Sequence, residues 1–159
     1  MSDSGGSLVT RSTGDLVGTM EAVGFSDVDD AEPLADGWLQ VEFADFGRHS
    51  AQALVRRTGA PVVMVSYLDS DLGFVEAALP GGGGWTGLLN PELAESYEIG
   101  PDEFPVGPAV AGAAAWSAAA GLVGDEALVR RAFTEHADFA EWLFPVLLAG
   151  LGIPGAELP

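Results

Sequence analysis

Hydrophobic and polar side chains alternate most regularly in the first half of the chain. Between Trp38 and Phe43 they follow the two-residue period of a strand, and Asp45 is placed to cap a helix that reaches about Arg57. A nearly unbroken apolar run over residues 62–68 comes next, which is typical of a central strand buried on both faces. A strand, a helix and a second strand predict a βαβ unit whose two strands run parallel.

Turn-forming residues divide the following stretch into two more strands. Residues 74–79 and 85–89 have the composition of strands, and a proline-and-glycine stretch over residues 80–84 connects them. Asn90, which precedes a proline, ends the second of these strands. We therefore expect a mixed sheet of about four strands, in which a β-meander follows the βαβ unit.

The N-terminal part is predicted to precede this sheet. Residues 1–13 are rich in serine and glycine, which indicates a flexible segment. Residues 15–23 have the spacing of a short helix. With 159 residues, 48% of them hydrophobic, the chain can bury a core without disulfides or metal. We expect one domain over residues 14–154.

The second half of the chain has the patterns of helices. Residues 109–120 are alanine-rich and apolar nearly all round, so we expect this helix to be enclosed. Residues 125–143 form an amphipathic helix pattern that includes His136, and Pro145 ends or kinks it. The fold class is therefore α/β or α+β, with C-terminal helices packed on the sheet. The expected core positions are Val41, Phe43, Leu54, Val63, Val65, Phe74, Val75, Trp116, Phe133 and Leu143.

The chain contains no cysteine, which excludes disulfides, thiolate zinc sites and cysteine nucleophiles. This composition fits a reducing cytoplasm, where we expect the protein to be located. The first residues lack the basic and apolar regions of a signal peptide. No apolar run reaches the roughly 20 residues that span a bilayer, so no membrane association is expected.

Charge is the most unusual property of the sequence. The net charge is −18, and all six cationic side chains are arginine. Such a field repels nucleic-acid phosphates and favours a basic protein partner. Solubility, a GC-rich bacterial genome or a salt-adapted cytoplasm would explain the same composition. The arginine pairs at residues 56–57 and 130–131 would neutralise neighbouring acids or bind an anion.

No catalytic signature or cofactor fingerprint accompanies the charge, and we expect no cofactor. The chain is therefore interpreted as a non-enzymatic protein-interaction module, immunity-protein-like or an adaptor, that covers a basic surface. Acidic residues in two predicted loops are the candidate contacts with this partner. They are Asp27, Asp29, Asp30, Glu32, Glu92, Glu95, Glu98, Asp102 and Glu103.

Two alternatives remain open. Asp69 and Asp71 follow a buried strand, where open sheets often place ligand sites, and they could hold the metal of a hydrolase. The same Asp-Ser-Asp sequence is also typical of a β-turn. A structural subunit of a homo-oligomer is the other alternative, in which the helix over residues 109–120 and the apolar C-terminal residues contact further copies.

Overall fold

The computed structural model of the chain describes residues 5–12, 14–44, 51–100 and 102–156. The strands are β1 (Gly6–Thr10), β2 (Glu32–Pro33), β3 (Leu39–Phe43), β4 (Val62–Leu68), β5 (Leu72–Ala78) and β6 (Gly84–Leu89). The α-helices are α1 (Leu16–Ala22), α2 (Ala51–Thr58), α3 (Val106–Ala119), α4 (Glu126–Thr134) and α5 (Phe144–Leu151). Two 3₁₀ helices cover Pro91–Tyr97 and Ala140–Trp142. The chain thus forms a small α/β domain, as the sequence predicts.

Over the described residues, the sheet has six strands rather than about four, in the order β2-β3-β1-β4-β5-β6. Every neighbouring pair is antiparallel, so the expected mixed sheet is wrong. Strands β3 and β4 do run in the same direction, but β1 lies between them. Val9 of β1 lies opposite Gln40 on one side and Val63 on the other. The βαβ unit is therefore split by an N-terminal strand.

The N-terminal segment, expected to be flexible, contains this central strand. All five residues of β1 are buried. Its two polar side chains have partners, because Ser7 Oγ donates to Glu42 Oε1 at 3.2 Å and Thr10 Oγ1 donates to the Pro61 carbonyl at 2.8 Å. Serine and glycine made the segment resemble a linker, yet serine and threonine hydroxyl groups that have hydrogen-bond partners can be buried in a sheet.

The side-chain alternation predicted for residues 38–43 is confirmed, and it separates two hydrophobic clusters. Trp38 belongs to the cluster under α3, α4 and α5, with Val63 and Trp116. Val41 and Phe43 point to the opposite face, where α1 and α2 cover the sheet. Each expected core side chain is buried except Phe74, which is half-buried. Its ring packs against Phe104, with the ring centroids 5.9 Å apart.

Helix α3 is not enclosed as expected. One face is buried through residues such as Val110 and Trp116, while the other is open to solvent. The exposed positions on that face are Gly107, Pro108, Ala111, Ala114, Ala115, Ala118 and Ala119. Alanine has the highest helix propensity, and its small side chain costs little free energy when it is exposed to solvent. An alanine-rich helix can therefore be stable with one face open to solvent.

The continuous helix predicted over residues 125–143 is also wrong. Helix α4 ends at Thr134, and an extended stretch separates it from the second 3₁₀ helix. Pro145 lies in the first turn of α5, where a missing amide costs nothing, rather than ending a helix. The predicted cap at Asp45 lies outside the described residues; the described part of that helix begins at Ala51.

Candidate interaction site

One end of the antiparallel sheet carries a cluster of polar side-chain contacts. Gly6 at the start of β1 lies opposite both Phe43 at the end of β3 and Ser66 near the end of β4. On the other side, Leu89 at the end of β6 lies opposite Gly73 near the start of β5. The turn between β4 and β5 therefore projects from this end, which we call the acidic end.

This turn consists of Asp69 and Ser70 between the two strands. Both residues have positive φ, 52° and 60°, as the central residues of a type I′ hairpin turn do. The Asp71 amide donates to the Leu68 carbonyl at 3.0 Å and closes the turn. The turn predicted from the Asp-Ser-Asp sequence is thus confirmed, and aspartate tolerates the left-handed conformation that it requires.

Asp71 connects the turn to the first 3₁₀ helix. The Tyr97 hydroxyl donates to Asp71 Oδ2 at 2.5 Å. This hydrogen bond, followed by burial and the charges of Asp71 and Asp69, raises the pKa of Tyr97 to about 12. The phenol therefore stays protonated and remains a donor throughout the physiological pH range.

Asn90 joins the turn to the segment after α4. Its side chain is fully buried, and its backbone is left-handed, with φ 65° and ψ 49°. Nδ2 donates to the carbonyls of Asp71 at 2.7 Å and Ala137 at 3.0 Å, while Oδ1 accepts from the Ala137 amide at 3.1 Å. The sequence indicated only a strand-breaking residue here. Its one further signal was an asparagine before a proline, a pair that marks turns.

Ser70 anchors the second 3₁₀ helix to the same turn. Its carbonyl accepts from the Ala140 amide at 2.8 Å, and its hydroxyl donates to Glu141 Oε2 at 2.7 Å. The other carboxylate oxygen, Glu141 Oε1, is buried without a hydrogen-bond partner among the described residues. Neither Asn90 nor Glu141 was identified as a site residue from the sequence.

The predicted acidic contacts divide between two clefts at the acidic end and positions elsewhere. Asp27 and Asp29 line a cleft of about 450 Å³, which Glu42, Tyr67 and Glu141 also line. The second cleft, of about 590 Å³, lies along the first 3₁₀ helix. Its lining residues are Pro91, Glu92, Ala94, Glu95, Glu98, Ile99 and Gly100.

The other candidate contacts do not line these clefts. Glu32 lies opposite Gln40 in β2, toward the far end of the sheet. Asp30, Asp102 and Glu103 are exposed, and Glu103 Oε2 accepts from the Gly100 amide, which makes it a local cap. The structure therefore brings Asp27 and Asp29, and separately Glu92, Glu95 and Glu98, into shared surfaces.

Arginine side chains lie at the opposite end of the sheet. Arg56 and Arg57 are exposed in the last turn of α2, just before β4 begins. Arg11 follows β1 at the same end, where its Nη2 donates to the Ala120 carbonyl at 3.0 Å and its guanidinium lies 5.1 Å from the Trp38 ring centroid. Arg11, Arg56 and Arg57 thus lie at the end of the sheet opposite the two acidic clefts.

The second arginine pair and the histidine lie on or after α4. Arg131 forms an ion pair with Glu135, the residue that follows α4, with 2.6 Å between Nε and Oε2, which confirms for Arg131 the predicted neutralisation of a neighbouring acid. His136 was expected on the apolar stripe of a longer helix, but it follows α4 and is partly exposed. Its Nδ1 lies 3.3 Å from Glu92 Oε2 of the first 3₁₀ helix.

Comparison with known proteins found no family model, no curated protein and no solved structure that matches this chain. Within the described ranges, no group of three or more histidine, aspartate or glutamate side chains is arranged to hold a metal ion. The use of Asp69 and Asp71 by a metal-dependent hydrolase stays a hypothesis. None of the helices in the described part of the chain is long and apolar enough to cross a membrane.

Proposed function

We propose that this chain is a non-enzymatic interaction module, immunity-protein-like or an adaptor, that binds a basic surface of a protein partner through the acidic end. One observation supports this most directly. Glu92, Glu95 and Glu98 line one cleft, and Asp27 and Asp29 line another at the same end of the sheet. If the acidic residues served solubility alone, they would not need to line clefts at one end of the sheet.

The charge distribution would orient an approaching partner. The arginines of α2 lie at the far end of the sheet, so a basic surface is attracted more strongly to the acidic end than to the far end. A basic groove that normally binds phosphates, such as the active site of a nuclease, has the required chemistry. Direct binding to nucleic acid is disfavoured by the same field.

Rigidity of the acidic end supports the same proposal. Asn90 and Tyr97 tie the first 3₁₀ helix to the β4–β5 turn through two side-chain hydrogen bonds, both of them to Asp71. Carboxylates on a fixed scaffold lose less conformational entropy on binding than carboxylates on a free loop. The glutamates of this helix are therefore presented in a preorganised arrangement.

A pull-down from a lysate of the native cell at low and high salt tests the proposal. The site variant carries Glu92→Gln, Glu95→Gln and Glu98→Gln. We expect the wild-type chain to retain one basic protein stoichiometrically, to release it at high salt, and the site variant to lose it.

The matched control changes the same number of charges at exposed positions outside the two clefts. It carries Glu32→Gln, Asp36→Asn and Glu126→Gln. Retention by the control and loss by the site variant would assign binding to the acidic end. Equal retention by both variants would overturn the proposal, because net charge alone would then account for binding.

The exposed alanine face of α3 favours a second candidate, a structural subunit of a homo-oligomer. This helix has no charged residue, so two copies could approach there with little repulsion despite the net charge of −18. Sedimentation of the wild-type chain and of Ala115→Glu over a range of concentrations tests it. An oligomer that dissociates in the variant is expected; a monomer at every concentration would exclude this candidate.

A further inference from the structure

Two aromatic side chains are exposed next to the acidic end. Phe139 is 48% exposed and Trp142 is 50% exposed, and their rings form an edge-to-face pair with centroids 5.1 Å apart. Within the described part of the chain, Val123 is the other large apolar side chain with such exposure. Large exposed aromatic groups cost solvation free energy and are enriched at the centres of protein interfaces.

The segment that carries this pair is fixed on both sides. Before Phe139, the Ala137 amide and carbonyl are both bonded by the Asn90 side chain. After it, the Ala140 amide donates to the Ser70 carbonyl at 2.8 Å. The aromatic pair is therefore held in place without a partner, as a preorganised binding element requires.

Carboxylates neighbour both rings in the sequence, and the Asp138 carboxylate shares a cleft with Trp142. Asp138 and Glu141 are the chain neighbours of Phe139 and Trp142, respectively. Trp142 also lines a shallow cleft of about 320 Å³ with Asp138 and with the ion pair of Arg131 and Glu135. Glu135 pairs with Arg131, and His136, which also lines this cleft, lies next to Glu92, so the Asp138 carboxylate remains as a negative charge beside Trp142.

We propose that Phe139 and Trp142 anchor an arginine-bearing segment of the basic partner, a proposal that rests on the proposed function. A guanidinium group stacks favourably on aromatic rings and also binds carboxylates, so both features of the surface recognise the same side chain. An ammonium group is more strongly hydrated and makes weaker planar contacts, so lysine binds less tightly here. The acidic clefts attract the partner, and the aromatic pair fixes its position.

A short labelled peptide of alternating arginine and glycine is the probe, with a lysine-glycine peptide for comparison. Phe139→Leu and Trp142→Leu leave the net charge unchanged, so any loss of affinity reports the rings. We expect each substitution to weaken binding of the arginine peptide about tenfold at constant ionic strength, as the loss of a partly desolvated cation–π contact does.

The lysine peptide binds less tightly than the arginine peptide to the wild-type chain. Val123→Ala, which shortens a side chain that is 90% exposed, is the matched control and leaves affinity unchanged.

Fluorine NMR of the chain labelled with 5-fluorotryptophan locates the contact. The chain has four tryptophans, and Trp38, Trp85 and Trp116 are buried, so the arginine peptide should shift the Trp142 resonance most. The aromatic anchor would be overturned if the leucine substitutions left affinity unchanged and the arginine peptide did not shift the Trp142 resonance of the wild-type chain. If the Glu92, Glu95 and Glu98 variant still weakened binding in that case, the proposed function would stand alone. If neither set of substitutions had an effect, both proposals would fail.

Discussion

The hydroxyl of Tyr97 lies 2.5 Å from Oδ2 of Asp71 and donates a hydrogen bond to it. This contact joins the first 3₁₀ helix, with its three cleft glutamates, to the turn between two central strands. It therefore connects the candidate binding surface to the most regular part of the fold. A carboxylate that was a metal-ligand candidate in the sequence acts here as a structural acceptor.

The Tyr97–Asp71 contact predicts an unusual phenol titration. The pKa of Tyr97 is raised from 10.0 to about 12, because the hydrogen bond to Asp71 requires the protonated phenol. Absorbance at alkaline pH, measured in a Tyr67→Phe background, reports Tyr97 alone because the chain has two tyrosines. Asp71→Asn should lower this pKa toward its ordinary value. A midpoint near 10.0 in the parent background would contradict the assignment.

The same shift predicts how stability depends on pH. A folded-state pKa above the unfolded one means that the native state binds the proton more tightly. The contribution of Tyr97 is complete below about pH 10, the unfolded pKa, and is lost as pH rises toward about 12. Denaturant unfolding of the parent and of Tyr97→Phe should differ below this window and converge through it.

Substitution of Asn90 should be strongly destabilising. Asn90→Ala removes three side-chain hydrogen bonds. It also places alanine, which adopts the left-handed conformation less readily than asparagine, at a left-handed position. At roughly 1 kcal/mol for each net hydrogen bond, with a further cost for the conformation, we expect a loss of about 3–5 kcal/mol in urea unfolding.

Two variants at the same position separate these contributions. Asn90→Gly relieves the backbone conformation but still lacks the side-chain bonds, so it should be less destabilising than alanine by about 1 kcal/mol. Asn90→Asp keeps an acceptor for the Ala137 amide but loses the two donated bonds. Equal stability of all three variants and the parent would show that Asn90 does not hold this end together.

Periodicity was sufficient to predict the strands whose side chains follow a simple pattern. The alternation over residues 38–43 and the apolar run over residues 62–68 correspond to β3 and β4, and the following turns define β5 and β6. These segments have a local pattern because each strand is buried on defined faces. Asp27 and Glu92, two of the acidic contacts expected from the sequence, line clefts, and their role in binding stays a prediction; the loop expected at Glu92 is a 3₁₀ helix.

Strand order and the contacts of the acidic end could not be predicted in this way. Leu8 and Val9 occupy a short strand between polar residues, and their burial depends on pairing with distant segments rather than on a local period. Asn90 and Ala137 are 47 residues apart, so nothing in either local sequence predicts their hydrogen bonds. Both the strand order and the contacts of Asn90 thus depend on pairing between segments that are distant in the sequence.

The central position of β1 predicts that the N-terminal segment is essential for stability. Leu8 is fully buried in the cluster under α1 and α2. Leu8→Ala should therefore cost about 2–5 kcal/mol, the usual range for such a truncation in a core. Val123→Ala is the control, because that side chain is 90% exposed and its truncation should change stability little. Urea unfolding in which both variants match the parent would indicate that the segment is not part of the folded core.

Electrostatic steering should be visible in association rates once a partner is captured. Rim charges act mainly on the association rate, which falls as salt screens the attraction. We expect the logarithm of this rate to decline steeply with ionic strength for the wild-type chain and for the variant of Glu32, Asp36 and Glu126. The variant of Glu92, Glu95 and Glu98 should associate more slowly at low salt and show a shallower decline, because its cleft has lost the attracting charges.

A flat response of the wild-type chain would mean that its net charge of −18 does not guide binding. Parallel declines for the two variants would mean that overall charge, rather than the acidic end, guides it.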